Sequence, residues 1–480
     1  MLSLICRRTA THRPKVHRCV QLIGVRFSRI INLNVDTLAS RRTTKNWHFC
    51  NAGAHYSTSR HNVPHKVNSP ASRKEYEQRI HKSRENWREA IGILQDMKSS
   101  THGATVSAYN AVINACARAK QTRVALELMD EMSEAGLVPD VITYNSAINA
   151  CARAKQFQTA IQLLEIMQTN RVQPDIITMN TAISACEKGG QWEMALALLD
   201  SMKALEIKPD ITTMSAAISA CEKGGQWEKA LALLDSMKAI DLQPGVIALN
   251  AAISACEKGG RWEEALKLFD SMPTLGLKPT VITMNAIISA CERCSRWEEA
   301  LRLFESMASL DLQPDSVTIN VAISACEKGE QWEKALTLFD SMPGFSLHPN
   351  VMTMSTAIRA CEKLGQIDRA LKLLNSISSL NLQPNVTIMN SAISACAKGE
   401  DWDKALALLE SMPSMGLRPD FETITTAIGA CTKNRQWEEA LILLESMPDL
   451  GLEPDANTVK EVASACSESG QKERALSLLK

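Results

Sequence analysis

Past His102 the chain holds a single histidine, His348, and only one close pair of cysteines, Cys291 and Cys294. Zinc needs clustered ligands of the C-x2-C kind, so fifteen cysteines do not by themselves point to a metal site. Long apolar runs are missing too, since none approaches the ~20 residues needed to span a membrane. No catalytic constellation is visible either. The expectations are therefore no enzyme activity, no cofactor, no metal, no membrane and no small-molecule substrate. Acid is missing from one end. Residues 1–70 carry twelve Lys and Arg against Asp36 alone, a net +11, which leaves −11 for the remainder of a chain whose formal charge is zero. Two different physical objects join near residue 70.

What the chain has in abundance is repetition. From Cys116 to Cys466 a cysteine stands at every thirty-fifth residue, and from Pro139 to Pro454 a proline keeps the same step. The stretch Ile176 to Asp210 returns almost unchanged at Ile211 and again at Val246. A fixed period of roughly 20–50 residues marks a solenoid, one extended array whose units touch only their neighbours. The laddered cysteines, each in the setting Ala-Cys among apolar residues, read as small buried core thiols that stay reduced.

Two helices are legible in one unit. Met179, Ala182, Ile183 and Cys186 fall at i, i+3, i+4 and i+7, one apolar helical stripe. Gly189-Gly190 ends that helix. Trp192, Ala195, Leu196, Leu198, Leu199 and Met202 form the second stripe, and Pro209-Asp210 breaks the chain before the next unit. Trp192 and its counterparts Trp227, Trp262, Trp297, Trp332, Trp402 and Trp437 share that stripe, so they read as packing residues and not as a base-stacking platform.

The expected organisation is a transit peptide over 1–35, a disordered linker over 36–70, an incomplete N-terminal repeat over 71–105 without a recognisable first helix, ten complete units over 106–455, and a partial C-terminal repeat over 456–480. The leader is Arg-rich, nearly free of acid and moderately apolar, the composition of an organelle transit peptide. It points to the mitochondrion ahead of the plastid. The alternative is a basic arm that binds nucleic acid directly.

The pattern V-I-T-Y-N-S-A-I-N-A-C at Val141, the A-L-x-L-L-x-x-M core and the L-x-P-D ending resemble the pentatricopeptide repeat. Tetratricopeptide repeats have period 34 and a different aromatic pattern, and the strict step of 35 argues against them. The resemblance implies an all-α fold, a right-handed α-solenoid superhelix of helix-turn-helix units. It also implies a function, binding single-stranded RNA one base per unit in organelle RNA metabolism. Any processing would need recruited RNA-processing proteins.

In that family the fifth and last residues of each unit read a base, and the second packs against it. The fifth residues here are Asn110, Asn145, Asn180, Ser215, Asn250, Asn285, Asn320, Ser355, Asn390 and Thr425. The matching last residues are Asp140, Asp175, Asp210, Gly245, Thr280, Asp315, Asn350, Asn385, Asp420 and Asp455. At the second position Ile142, Ile177, Ile247, Ile282, Val317 and Met352 can pack on base faces, whereas Ser107, Thr212, Thr387 and Glu422 depart from the pattern. By the family's correspondence the units read UUU-n-Y-U-Y-A-U-G, 5′ to 3′, with Ser215/Gly245 left blank. The bland alternative is that Asp or Asn after Pro simply caps the next helix.

Arg118, Arg153, Lys188, Lys223, Lys258, Arg293, Lys328, Lys363, Lys398 and Lys433 form an unbroken basic row near the end of the first helix, the candidate phosphate contacts. Favourable charge at a helix C-terminus explains the same row, and the acids directly preceding many of its members, such as Glu222, weaken the phosphate reading. The competing function is a protein-binding scaffold of tetratricopeptide type. It would have varied, often aromatic or charged groove residues, not this monotonous small polar set.

Overall fold

A computed structural model describes residues 72–100, 103–471 and 473–475. The transit peptide and linker expected over 1–70 lie outside the described residues. Each repeat folds as the sequence pattern demands. In the unit from Ile176, the first helix runs Ile176–Lys188 and the second Trp192–Ala204, joined by three residues. Met179, Ala182, Ile183 and Cys186 are fully buried, as are Ala195 and Met202 from the second helix. Burying each such Met or Ile side chain contributes about 1.5–3 kcal/mol. All eleven laddered cysteines are buried free thiols. Burial pushes their pKa up, to about 12 at Cys186, so they serve as inert packing residues.

The two residues after the first helix have separate roles. Gly190 adopts φ +70°, the left-handed conformation that reverses the chain. Gly189 does not. A Cβ on it would come within 2.7 Å of the Phe157 ring, and one on Gly224 within 2.2 Å of Trp192. The first glycine thus makes room for the aromatic that opens the previous unit's second helix. This supports reading the tryptophans as inter-repeat packing: each is partly buried against the core, and several lie under a cation, as Trp192 does under Lys229 at 3.7 Å.

The layers are unequal. Each first helix packs on the first helices before and after it, while each second helix packs on its own first helix and the next. Successive second helices show no comparable packing. The first helices therefore form the closer-packed layer, and whatever their exposed side presents is repeated at the unit spacing. Four second helices are shortened by a proline, as where Trp262–Ser271 gives way to a 3-10 turn at Pro273–Leu275. Proline lacks the N–H and clashes with the preceding turn.

At the N-terminal end a helix over Arg73–Lys82 precedes Trp87–Ser99, so the incomplete repeat does have a first helix. Only Ile80 of its ten residues is buried. With one core residue there is no stripe to recognise from sequence, and a Ser72/Glu75 capping box fixes its start instead.

Candidate nucleic-acid interface

Each first helix begins on the last residue of the unit before it. Asp175, extended at φ −104°, ψ 179°, accepts the Thr178 N–H at 2.8 Å, and its own N–H donates to the Thr178 hydroxyl at 3.1 Å. This reciprocal cap recurs at Asp140, Asp210, Asp315, Asn350 and Asp420. The capping role weighed from sequence is therefore real.

It does not displace the pairing. Asn110, Asn145, Asn180, Asn285 and Asn390 each donate through Nδ2 to the carboxylate of Asp140, Asp175, Asp210, Asp315 and Asp420 respectively, at 3.0–3.2 Å. The fifth and last residues of these five units are thus brought together. One carboxylate caps a helix and holds the asparagine of the preceding one. Burial pushes the Asp175 carboxyl up, but the Thr178 amide and hydroxyl and the Asn145 amide outweigh it and hold the group below its usual range. Asp140, Asp210, Asp315 and Asp420 behave alike.

The other five units are not joined this way. The Ser215 hydroxyl donates to the Ile211 carbonyl at 2.6 Å, and Gly245 has no side chain to meet it. Thr280 caps Thr283 without bonding Asn250. Asn350 caps Thr353 at 3.0 Å, while Asn320 Oδ1 is buried without a partner. Asn385 caps Ile388 at 2.9 Å without bonding Ser355. Thr425 donates to the Phe421 carbonyl, and Asp455 caps Thr458.

A residue absent from the sequence reading completes the site. The hydroxyls of Thr143, Thr178, Thr283, Thr318 and Thr423 donate to the side-chain oxygens of Asn110, Asn145, Asn250, Asn285 and Asn390 at 2.5–2.7 Å. Thr213 does the same for Asn180. The sequence signal was a threonine 33 residues after the asparagine, in the third position of the next unit.

Beside the pairs, one helical turn away, stand the second-position residues. Ile142, Ile177, Ile247, Ile282, Val317 and Met352 are all exposed, Ile247 to 72% and Met352 to 70%. The core does not account for this file of exposed large apolar side chains at one position in six of the ten units.

The basic row is more mixed. Lys223, Lys258, Arg293, Lys328 and Lys398 each pair with a glutamate of the preceding unit, Glu187, Glu222, Glu257, Glu292 and Glu362, at 2.5–3.4 Å. Arg118, Arg153, Lys188, Lys363 and Lys433 have no ion pair among the described residues. The thiol of Cys294 donates to the Gly260 carbonyl at 3.4 Å.

No curated protein matches the chain. Among solved structures it is similar to two of the pentatricopeptide repeat protein PPR10 in complex with an 18-nt psaJ RNA element, one of them with three cysteine-to-serine replacements. Each has 22% identity and a TM-score of 0.64 over 84% of this chain and 59% of the other. A structure of PPR10 from maize gives 20% identity and a TM-score of 0.47 over 85% and 73%. The chain spans about 59% of the length of the first two, and the likeness is one of fold. The PPR repeat family model matches residues 104–153, 139–186, 174–223, 244–291, 279–328, 314–363 and 384–432, and the PPR repeat model matches 212–242, 352–382 and 422–452. Matched almost without a break from residue 104 to 452, the chain belongs to the pentatricopeptide repeat family.

Proposed function

We propose that the array binds single-stranded RNA in a sequence-dependent way, one base per unit, as a non-enzymatic binding protein. The observation that carries the reading is the coupling of an exposed apolar second residue to a hydrogen-bonded Asn–Asp pair one turn away, on the layer of first helices. Ile142 stands beside Asn145–Asp175, Ile177 beside Asn180–Asp210 and Ile282 beside Asn285–Asp315. The apolar residue gives a base a face to lie on. The pair gives its edge a donor and an acceptor: the second Nδ2 hydrogen, and the carboxylate's remaining lone pairs. Uracil presents the complement, a carbonyl oxygen beside N3–H. Cytosine would set its N3 lone pair against the carboxylate. The units ending in Thr280, Asn350 or Asn385 lack that carboxylate and discriminate less sharply between pyrimidines or accept adenine.

The ten units on this reading prefer UUU-n-Y-U-Y-A-U-G. The setting is organelle RNA metabolism, in the mitochondrion ahead of the plastid. The acid-poor leader over 1–35 acts as the address, and recruited proteins supply any processing chemistry. Binding of the full chain to that ten-base RNA, against its scrambled version and double-stranded DNA, tests the reading. Tight, single-strand-specific binding that drops on scrambling is expected. Binding indifferent to sequence would sink it and put a protein-binding scaffold first.

A further inference from the structure

We infer that the threonine at the third position of the following unit is a further specificity-determining element, a positioning residue that fixes which end of the asparagine amide faces the base. The inference rests on the base-reading function proposed above.

An asparagine side chain is nearly symmetric in shape and can present either its oxygen or its NH2 group outward. In the Asn/Asp units the carboxylate only accepts, so Nδ2 must face it. The oxygen then needs a donor. The Thr178 and Thr318 hydroxyls lie 2.8 and 2.9 Å from the capping carboxylates of Asp175 and Asp315. Each directs its single hydrogen to the nearer acceptor, the asparagine oxygen, at 2.6 Å for Asn145 and 2.5 Å for Asn285. Thr178 and Thr318 are fully buried, where water cannot stand in, so an acceptor left unpaired there is unfavourable. Asn320 shows the alternative. Thr353 turns its hydroxyl to the Asn350 carbonyl at 2.9 Å, and Asn320 Oδ1 is left as the one buried side-chain polar atom without a partner among the described residues.

The sequence keeps the two positions in step. All seven asparagines at the fifth position have a threonine 33 residues on, whereas Ser215 is followed at that distance by Ala248 and Ser355 by Ile388. A serine hydroxyl can donate or accept by rotation and has no flip to lock. Helix capping alone does not explain the match, because Asn385 caps its helix through the Ile388 amide without a threonine. Thr458, which follows Thr425, bonds Asp455 as Thr178 bonds Asp175, but makes no bond to the fifth-position residue.

The cleanest test is the unit of Asn250, where no carboxylate helps and Thr283 alone holds the oxygen, at 2.7 Å. Thr283→Val keeps the shape and removes the donor. With the amide free to turn over, the preference for a pyrimidine over adenine at the fifth base is expected to fall about tenfold, the equivalent of one hydrogen bond. Thr283→Ser restores it, and preferences at the other bases and the melting temperature of the Ser variant stay at wild type. Should Thr283→Val be poorly folded, the converse is available. Ser215→Asn with Ala248→Thr is expected to create a base preference at the fourth base that Ser215→Asn alone does not. Wild-type binding with sequence preference, together with an unchanged fifth-base preference in folded Thr283→Val or no gain in the double variant, overturns this inference and leaves the function standing. Wild type indifferent to sequence overturns both.

Discussion

Asn145 donates an amide hydrogen to Asp175 at 3.1 Å across 30 residues of chain, and the same carboxylate oxygen caps the next helix by accepting the Thr178 N–H. Two substitutions separate these roles. Asn ranks with Asp as a helix cap, so Asp175→Asn is expected to leave the melting temperature nearly unchanged. It removes the obligate acceptor, so discrimination against cytosine at the second base should relax. Asp175→Ala loses the cap as well and costs about 1 kcal/mol. Thermal melts alongside binding to RNAs changed at that one base check both. A Asp175→Asn variant with unaltered base preference would show that the carboxylate only caps.

Ile247 tests the apolar file. At 72% exposure it contributes little to the core, so Ile247→Ala should shift stability by less than about 0.5 kcal/mol. If a base lies on it, affinity for the matched RNA should fall about tenfold, ~1.4 kcal/mol. Ile253, buried in the same helix, is the control: Ile253→Ala should cost about 2–5 kcal/mol of stability. Equal RNA affinity for wild type and Ile247→Ala would remove the second position from the interface.

Most of this architecture was legible because the chain states each instruction many times. The stripes of Met179 to Cys186 and Trp192 to Met202, the buried cysteines and the proline breaks follow from period and apolarity alone. The Asn–Asp pairs came from a family likeness, and from sequence the capping and reading roles of Asp175 looked like rivals. They share one carboxylate because the last residue of a unit is also the cap of the next. Thr178 stayed hidden for a different reason: a threonine in the first turn of a helix is unremarkable, and its bond to Asn145 spans 33 residues. The Arg73–Lys82 helix was missed because a polar helix with one buried residue has no periodicity to see.

The five paired aspartates also set an acid limit. Their carboxyls are held below the usual aspartate range in the folded chain, so the unfolded chain binds more protons. Their stabilisation is complete above the unfolded value of ~3.9 and is lost as pH falls through the folded values. Asp130, Glu165 and Glu257, pushed up by burial, work in the opposite sense and offset part of the loss. The urea midpoint should therefore hold near neutral pH and drop below about pH 4. Replacing the five aspartates by asparagine should shallow that drop. An equally steep drop in the replaced protein would place the acid sensitivity elsewhere.

Ion pairing along the basic row predicts the salt dependence of binding. Affinity for a single strand falls with salt at a slope of about −0.7 per phosphate neutralised. If all ten basic residues met phosphate, the slope would approach about −7. With Lys223, Lys258, Arg293, Lys328 and Lys398 already held by glutamates, about −3.5 is expected. The row can be freed one member at a time. Lys258 lies 2.5 Å from Glu222, and such partly exposed pairs contribute only about 0–1 kcal/mol, so Glu222→Gln should fold normally. It should tighten RNA binding at low salt and steepen the slope by about 0.7. A slope that stays flat in this variant would mean that Lys258 does not face the RNA backbone, leaving the row as the complement of its helix ends.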